Sequence, residues 1–163
     1  MALKAIETRY KGYRFRSRLE ARWAVFFDAL DLDWQYEPEG VSLSVGNYLP
    51  DFWIATVHMW AEVKPVPFSK HENALLYALA KETRFPALKL IGVPENKPYF
   101  GFTDDAGFEV EFCLTNHHNY PRKEHRFFCM PGCDEERRWA DTAEAARQAR
   151  GARFEHGQYG AAW

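Results

Sequence analysis

Tyr48-Leu49-Pro50-Asp51-Phe52-Trp53-Ile54, a short break, then Met59-Trp60-Ala61-Glu62-Val63-Lys64 is the stretch whose reading decides the fold. Both halves are apolar and rich in aromatic residues, as half-buried strands are. Asp51, Glu62 and Lys64 are the charged residues set into them. Side chains alternate along a strand, so Glu62 and Lys64 share one face and Val63 points to the other. An antiparallel hairpin with an even-length turn centred on Thr56 and Val57 sets Ala55 against His58, Ile54 against Met59 and Asp51 against Glu62. Opposed Cβ atoms lie roughly 5 Å apart, and like charges there repel. A divalent cation between the two carboxylates reverses the sign of that interaction, because hard ions such as Mg²⁺ take carboxylate oxygens as ligands. Lys64 is then within reach of whatever such an ion holds. The plainer alternative is a solvated strand face, with Asp51 a turn residue after Pro50. Three charges in one register, flanked by Phe52, Trp53, Trp60 and Val63, favour the metal site. The register is decisive, since an odd-length turn or a bulge near Pro50 would turn Glu62 away.

At these residues the chain resembles a known family. Pro50-Asp51, ten residues, then Glu62-Val63-Lys64 is similar to the signature of the PD-(D/E)xK nuclease superfamily, which has the restriction-endonuclease-like fold. The resemblance covers about residues 9 to 93. It implies that Asp51 and Glu62 bind Mg²⁺ or Mn²⁺, that the Val63 carbonyl adds a ligand, and that Lys64 activates or positions the attacking water. It also implies a helical glutamate that completes the metal site, and Glu20 is the candidate by position. Members of the family mostly cut DNA, so the implied activity is metal-dependent hydrolysis of phosphodiester bonds, as an endonuclease. Two rivals stand beside it. One is a nuclease-like fold that binds nucleic acid or a protein without cutting, against which the intact Asp, Glu and Lys argue. The other is a subunit of a larger assembly, such as a transposase-like or phage-encoded complex.

A chain of 163 residues fits one domain, residues 1–163, with a core over about 9–93 and an extension over about 99–163. Its 47% apolar and 17% aromatic content excludes a disordered or low-complexity chain. The net charge of −2 says nothing for nucleic acid, but Arg9, Lys11, Arg14, Arg16, Arg18 and Arg22 cluster against one acid, Glu20. Local charge is what meets a phosphate backbone. Arg14, Arg16, Arg18 and Arg22 are therefore candidate DNA contacts, against a solvated helix entry as the alternative. Three cysteines argue against a disulfide framework. No apolar h-region opens the chain, and no run approaches the roughly 20 apolar residues that cross a bilayer. A cytoplasmic location, no membrane partner, and DNA-bound action as a homodimer or in a larger nucleoprotein complex are the expectations.

The expected fold class is α/β (α+β): helix, three strands, helix, strand, in a mixed central sheet flanked by helices, followed by a hairpin and a short helix. The first helix starts at Ser17, where Glu20 three residues on makes a capping box. Leu19, Trp23, Phe26, Phe27 and Leu30 give its apolar face, and Glu20 lies at the edge of that stripe, able to look toward the sheet. A strand over Trp34–Val45 is interrupted by Glu37-Pro38-Glu39-Gly40, and Gly46-Asn47 turns into the Tyr48 strand. A second helix begins at Ser69, with Glu72 as capping partner and Ala74, Leu75, Ala78 and Leu79 as buried stripe; Phe85-Pro86 ends it. Lys70 and His71 fall in its first turn, with Lys70 the candidate phosphate contact and a solvated turn the plainer reading of both. Leu88–Val93 is a buried strand, and the intervening helix makes it parallel to its neighbour. Tyr99–Phe102 and Phe108–Leu114 form a hairpin around Asp104–Gly107. His117, His118, His125, Cys129 and Cys133 lack the paired spacing of a four-ligand zinc site, and are read as surface histidines and buried thiols. Asp141 caps a short Ala-rich helix to Arg150, and the tail from Gly151 is expected to be mobile.

Overall fold

Lys11 and Gly12 both take positive φ, 48° and 81°, and this two-residue turn folds the start of the chain into a hairpin unforeseen from sequence. Its strands are β1 (Thr8–Tyr10) and β2 (Tyr13–Phe15), with Arg9 opposite Arg14. The chain is seen in a computed structural model that describes residues 5–105, 107–112 and 135–154. His117, His118, His125, Cys129 and Cys133 lie outside the described residues.

Helix α1 (Arg18–Ala29) is capped by Ser17, whose side chain accepts the Glu20 amide. Trp23, Phe26 and Phe27 are fully buried, as its periodicity predicts, and Leu19 packs partly buried against them. β3 (Trp34–Tyr36) then stops at the Glu37-Pro38 step. Proline has no amide for a ladder and Glu37 takes a positive φ of 43°. The expected strand over 34–45 is thus two strands: β4 (Val41–Leu43) leaves the sheet and pairs with β5 (Gly46–Tyr48) as a separate hairpin. Its turn is Ser44-Val45, two residues before the expected Gly46-Asn47, and Gly46 follows it at φ 123°. β6 (Phe52–Ile54) and β7 (Met59–Lys64) follow, then α2 (Lys70–Thr83), β8 (Ala87–Ile91), β9 (Tyr99–Phe102), β10 (Val110–Phe112) and α3 (Glu135–Gly151).

Ser69 and Glu72 close both halves of the capping box on α2, and Arg84 in the left-handed region ends the helix just before Phe85-Pro86. The buried face is Leu76, Leu79 and Ala80, with Leu75 and Ala78 half-buried and Ala74 exposed. Residues 74–80 are all apolar, so spacing alone did not select the stripe; the neighbouring β4–β5 hairpin and sheet did. α3 starts six residues earlier than Asp141, which sits within the helix rather than at its cap. Glu135–Ala140 are good helix formers with no proline or glycine to stop propagation. Ala152 and Phe154 are buried against the core, so the described part of the tail is anchored rather than loose.

Among the described residues six strands form one mixed sheet in the order β10-β9-β8-β7-β6-β3. Only β7 and β8 run parallel among the described residues, joined through α2, and the expected hairpin β9–β10 extends the sheet. Gly101 on β9 is required there: a Cβ would come within 2.1 Å of the Ala87 carbonyl oxygen across the pair. One face buries Phe52, Ile54, Met59, Ala61, Val63, Leu88 and Leu90 under α1 and α3. The other buries Ala87 and Phe102 under α2, with Leu43 of the separate hairpin alongside. Helices therefore cover both faces of a mixed sheet, the coarse architecture expected. Among the described residues no helix is long and apolar enough to cross a membrane.

Candidate functional site

The β6–β7 turn is even, as the register argument requires: Ile54 pairs with Met59, Trp53 with Trp60 and Phe52 with Ala61. One step further, Asp51 meets Glu62. The Asp51 amide donates to Glu62 Oε2 at 3.3 Å, and the Val63 amide donates to Asp51 Oδ2 at 2.8 Å. Both acids are buried, at 3% and 6% exposure. Lys64, two residues on and on the Glu62 face, places Nζ 3.0 Å from Glu62 Oε1 and 3.6 Å from Glu72 Oε1.

Burial, then the negative charge of Glu62, push the Asp51 carboxyl up from an ordinary 3.8 to about 7; the Val63 amide and Arg16 work against this. Partial burial alone would lower the Lys64 ammonium, but the hydrogen bond and charge of Glu62, with Glu72 and Asp51, outweigh it and hold its pKa above the usual value. Lys64 is thus a stable cation, not a base poised near neutrality. Burial raises the Tyr48 phenol, and so do the charge of Glu62, a hydrogen bond to it, and the charges of Asp51 and Glu72.

Glu20 is 9% exposed and does look toward the sheet. Its Oε2 accepts from the Tyr36 hydroxyl at 2.5 Å and from the Arg16 amide at 3.1 Å, while Oε1 accepts from Ser17 Oγ at 2.9 Å. The carboxylate therefore caps the helix and faces the Asp51 neighbourhood at once, reaching the Arg16 amide instead of that of Ser17. It does not close a three-acid cluster: among the described residues no three His, Cys, Asp or Glu side chains are grouped to hold a metal ion. Two hard-oxygen ligands nevertheless fit Mg²⁺ or Mn²⁺, since Mg²⁺ is commonly held by one or two carboxylates with water and phosphate completing the shell. The buried, mutually repelling pair, with one carboxyl driven up toward its neutral form, is an environment that a cation would relieve.

The basic segment is divided by the fold. Arg16 enters the site, with Nη2 2.7 Å from Asp51 Oδ1 and Nε 2.7 Å from Glu37 Oε1. Arg14 pairs with Glu7 on the surface, and Lys11 pairs with Asp28. Arg18 and Arg22 make no ion pair with the described residues; their Nε atoms are buried and without a hydrogen-bond partner. Lys70 and His71 are exposed in the first turn of α2. Sequence reasoning missed Tyr36, Glu37 and Tyr48. The first two are brought to the site by strand pairing: β3 pairs with β6 so that Tyr36 meets Phe52, and one step on the Glu37 amide donates to the Asp51 carbonyl at 2.8 Å.

The raised Asp51 carboxyl carries a sign. Between about pH 4 and about pH 7 the folded chain binds more protons than the unfolded one, so this group's contribution to stability falls as pH rises. Urea unfolding in EDTA from about pH 5 to about pH 8 should show the wild type losing ground against Asp51→Asn. A gap that stays constant over that window would contradict the shift. No family model, curated protein or solved structure matches the chain.

Proposed function

We propose that the chain is a metal-dependent nuclease with a restriction-endonuclease-like core, hydrolysing phosphodiester bonds in DNA as an endonuclease. The observation that carries this reading is the buried Asp51–Glu62 pair with the Lys64 amine 3.0 Å from Glu62 Oε1. A divalent cation held by Asp51 and Glu62, with the Val63 carbonyl and Glu20 as further candidate ligands, would neutralise phosphate charge and lower the pKa of bound water from about 15.7. Lys64, a persistent cation, holds the attacking water in place by hydrogen bonding or stabilises charge developing on the phosphate; it does not remove a proton. Glu72 and Glu62 fix its amine from two sides, which limits its loss of freedom on binding. Arg18 and Arg22, half-buried on the first turns of α1 and without an ion pair to the described residues, are the candidate phosphate contacts of the substrate backbone. Such contacts, and one from Lys70, would hold the backbone without reading its sequence. Two copies acting together would account for cutting both strands.

A second reading, binding without cutting, is favoured by one observation: each oxygen of Asp51 and Glu62 already has a partner. Incubation with linear, circular, branched and single-stranded DNA, in Mg²⁺ and in EDTA, separates the two. Cleavage in Mg²⁺ that EDTA and Lys64→Ala both stop is the expected result. No cleavage of any substrate, or equal cleavage by Lys64→Ala, removes the catalytic reading.

A further inference from the structure

Arg16 reaches more of the site than any other basic residue described. Its backbone amide is tied to Glu20 Oε2 at 3.1 Å and to the Tyr36 hydroxyl at 3.0 Å. Its guanidinium forks, with Nη2 on Asp51 Oδ1 and Nε on Glu37 Oε1. Asp51 Oδ2 is taken by the Val63 amide of β7, a donor fixed by the sheet. Oδ1 is the oxygen with no backbone donor among these contacts, and the guanidinium sits there.

We propose that Arg16 is a resident counter-ion for the acid pair, exchanged for a divalent cation, so that guanidinium and metal hold Asp51 in turn and not together. The inference rests on the metal-site reading above and adds how that site is regulated. Three features point to exchange and not to a permanent strut. First, two buried carboxylates side by side are stabilised by a compensating cation whenever both are ionised, because an uncompensated buried charge is strongly destabilising. Second, the two ends of the pair differ in freedom: the Arg16 side chain is 59% exposed, whereas that of Asp51 is 5% exposed. A long, half-solvated arginine can leave by rotating about its own bonds, while the aspartate cannot turn away without giving up its bond from the Val63 amide. Third, a second partner waits outside. Glu37 is more exposed than Asp51 and keeps hold of Nε when Nη2 lets go. Lys64 has no such exit, being held between Glu62 and Glu72. The vacated guanidinium would be left at the mouth of the site, positioned for an incoming phosphate, which makes metal and polynucleotide binding mutually supportive.

Calorimetric titration of wild type, Arg16→Gln and Arg14→Gln with Mn²⁺ tests this. Arg16→Gln should bind Mn²⁺ roughly fivefold more tightly, the factor that goes with losing a partly exposed competing ion pair. Arg14→Gln, which removes the same charge from a pair outside the site, should match wild type. Thermal unfolding gives a second readout: Arg16→Gln should melt below wild type in EDTA, and the gap should close in saturating Mn²⁺. Unchanged or weaker Mn²⁺ binding by Arg16→Gln, an equal gain in Arg14→Gln, or a melting gap that Mn²⁺ does not alter would overturn the exchange while leaving the metal site standing. Heat of binding absent from all three proteins would defeat the metal site and the exchange with it. If Arg16→Gln does not fold, Arg16→Met, which keeps an aliphatic stem but removes the competing charge from Asp51 and Glu37, should still bind Mn²⁺ more tightly than wild type, and binding no tighter overturns the proposal.

Discussion

Asp51→Asn is expected to abolish Mg²⁺-dependent DNA cleavage while leaving the fold in place. Asparagine keeps the shape and one oxygen, so the Val63 amide retains an acceptor. It loses the negative charge on which a cation depends, and it loses the charged partner of Arg16. Loss of an outer-shell partner alone typically costs 10–100-fold, so removal of a direct ligand should lower the cleavage rate by at least about 100-fold. Far-UV circular dichroism and a cooperative unfolding transition in EDTA should show the variant folded, with its stability relative to wild type following the pH trend given above. Cleavage within a few-fold of wild type would mean that Asp51 is not part of the chemistry, whatever its burial.

Trp23→Ala should have the largest effect on stability. Trp23 is fully buried on α1, with its ring centroid 5.2 Å from Phe26 and 5.5 Å from Tyr99. Its Nε1–H donates to the Gly92 carbonyl at 2.9 Å, stitching the helix to the end of β8. Truncating a buried Trp costs about 3–5 kcal/mol through lost transfer energy and the cavity left behind. That is a large share of the 5–15 kcal/mol typical of a domain. Trp23→Phe fills most of the space and orphans only the carbonyl, so it should cost about 1–3 kcal/mol. Urea unfolding of both variants reads the difference. An Ala variant within about 1 kcal/mol of wild type would show that this ring does not anchor α1.

What could be read from residues alone followed local rules. The acid pair was legible because a four-residue break between two aromatic runs admits an even turn, and strand alternation then brings Asp51 to Glu62. Glu20 was legible through Ser17, since a capping glutamate at the edge of an apolar stripe has few directions open to it. The crossover through α2 followed from one helix between two apolar runs. Features that depend on distant partners were not legible. Arg16 looked like part of a basic entry to a helix because its acidic partners, Glu37 and Asp51, are brought to it by the pairing of β3 with β6. Tyr48 looked like the start of the acid-bearing strand, yet it ends a separate hairpin, and only the folding of that hairpin beside α2 brings its phenol to Glu62. The β1–β2 hairpin went unread because its Lys-Gly turn lacks the Asn-Gly or Asp-Gly pair that marks such turns most strongly. The uniform apolar run in α2 hid which face would be buried, for the same reason: the neighbours decide it.

The central claim is that the acid just before β6 and the acid on β7, Asp51 and Glu62, form one cation site. Calorimetric titration of Mn²⁺ into metal-free wild type and into Asp51→Asn tests it without reference to any substrate. A single saturable binding event in the wild type, lost or weakened at least about 10-fold in the variant, is the predicted result. Absence of binding by the wild type, or undiminished binding by Asp51→Asn, would contradict it.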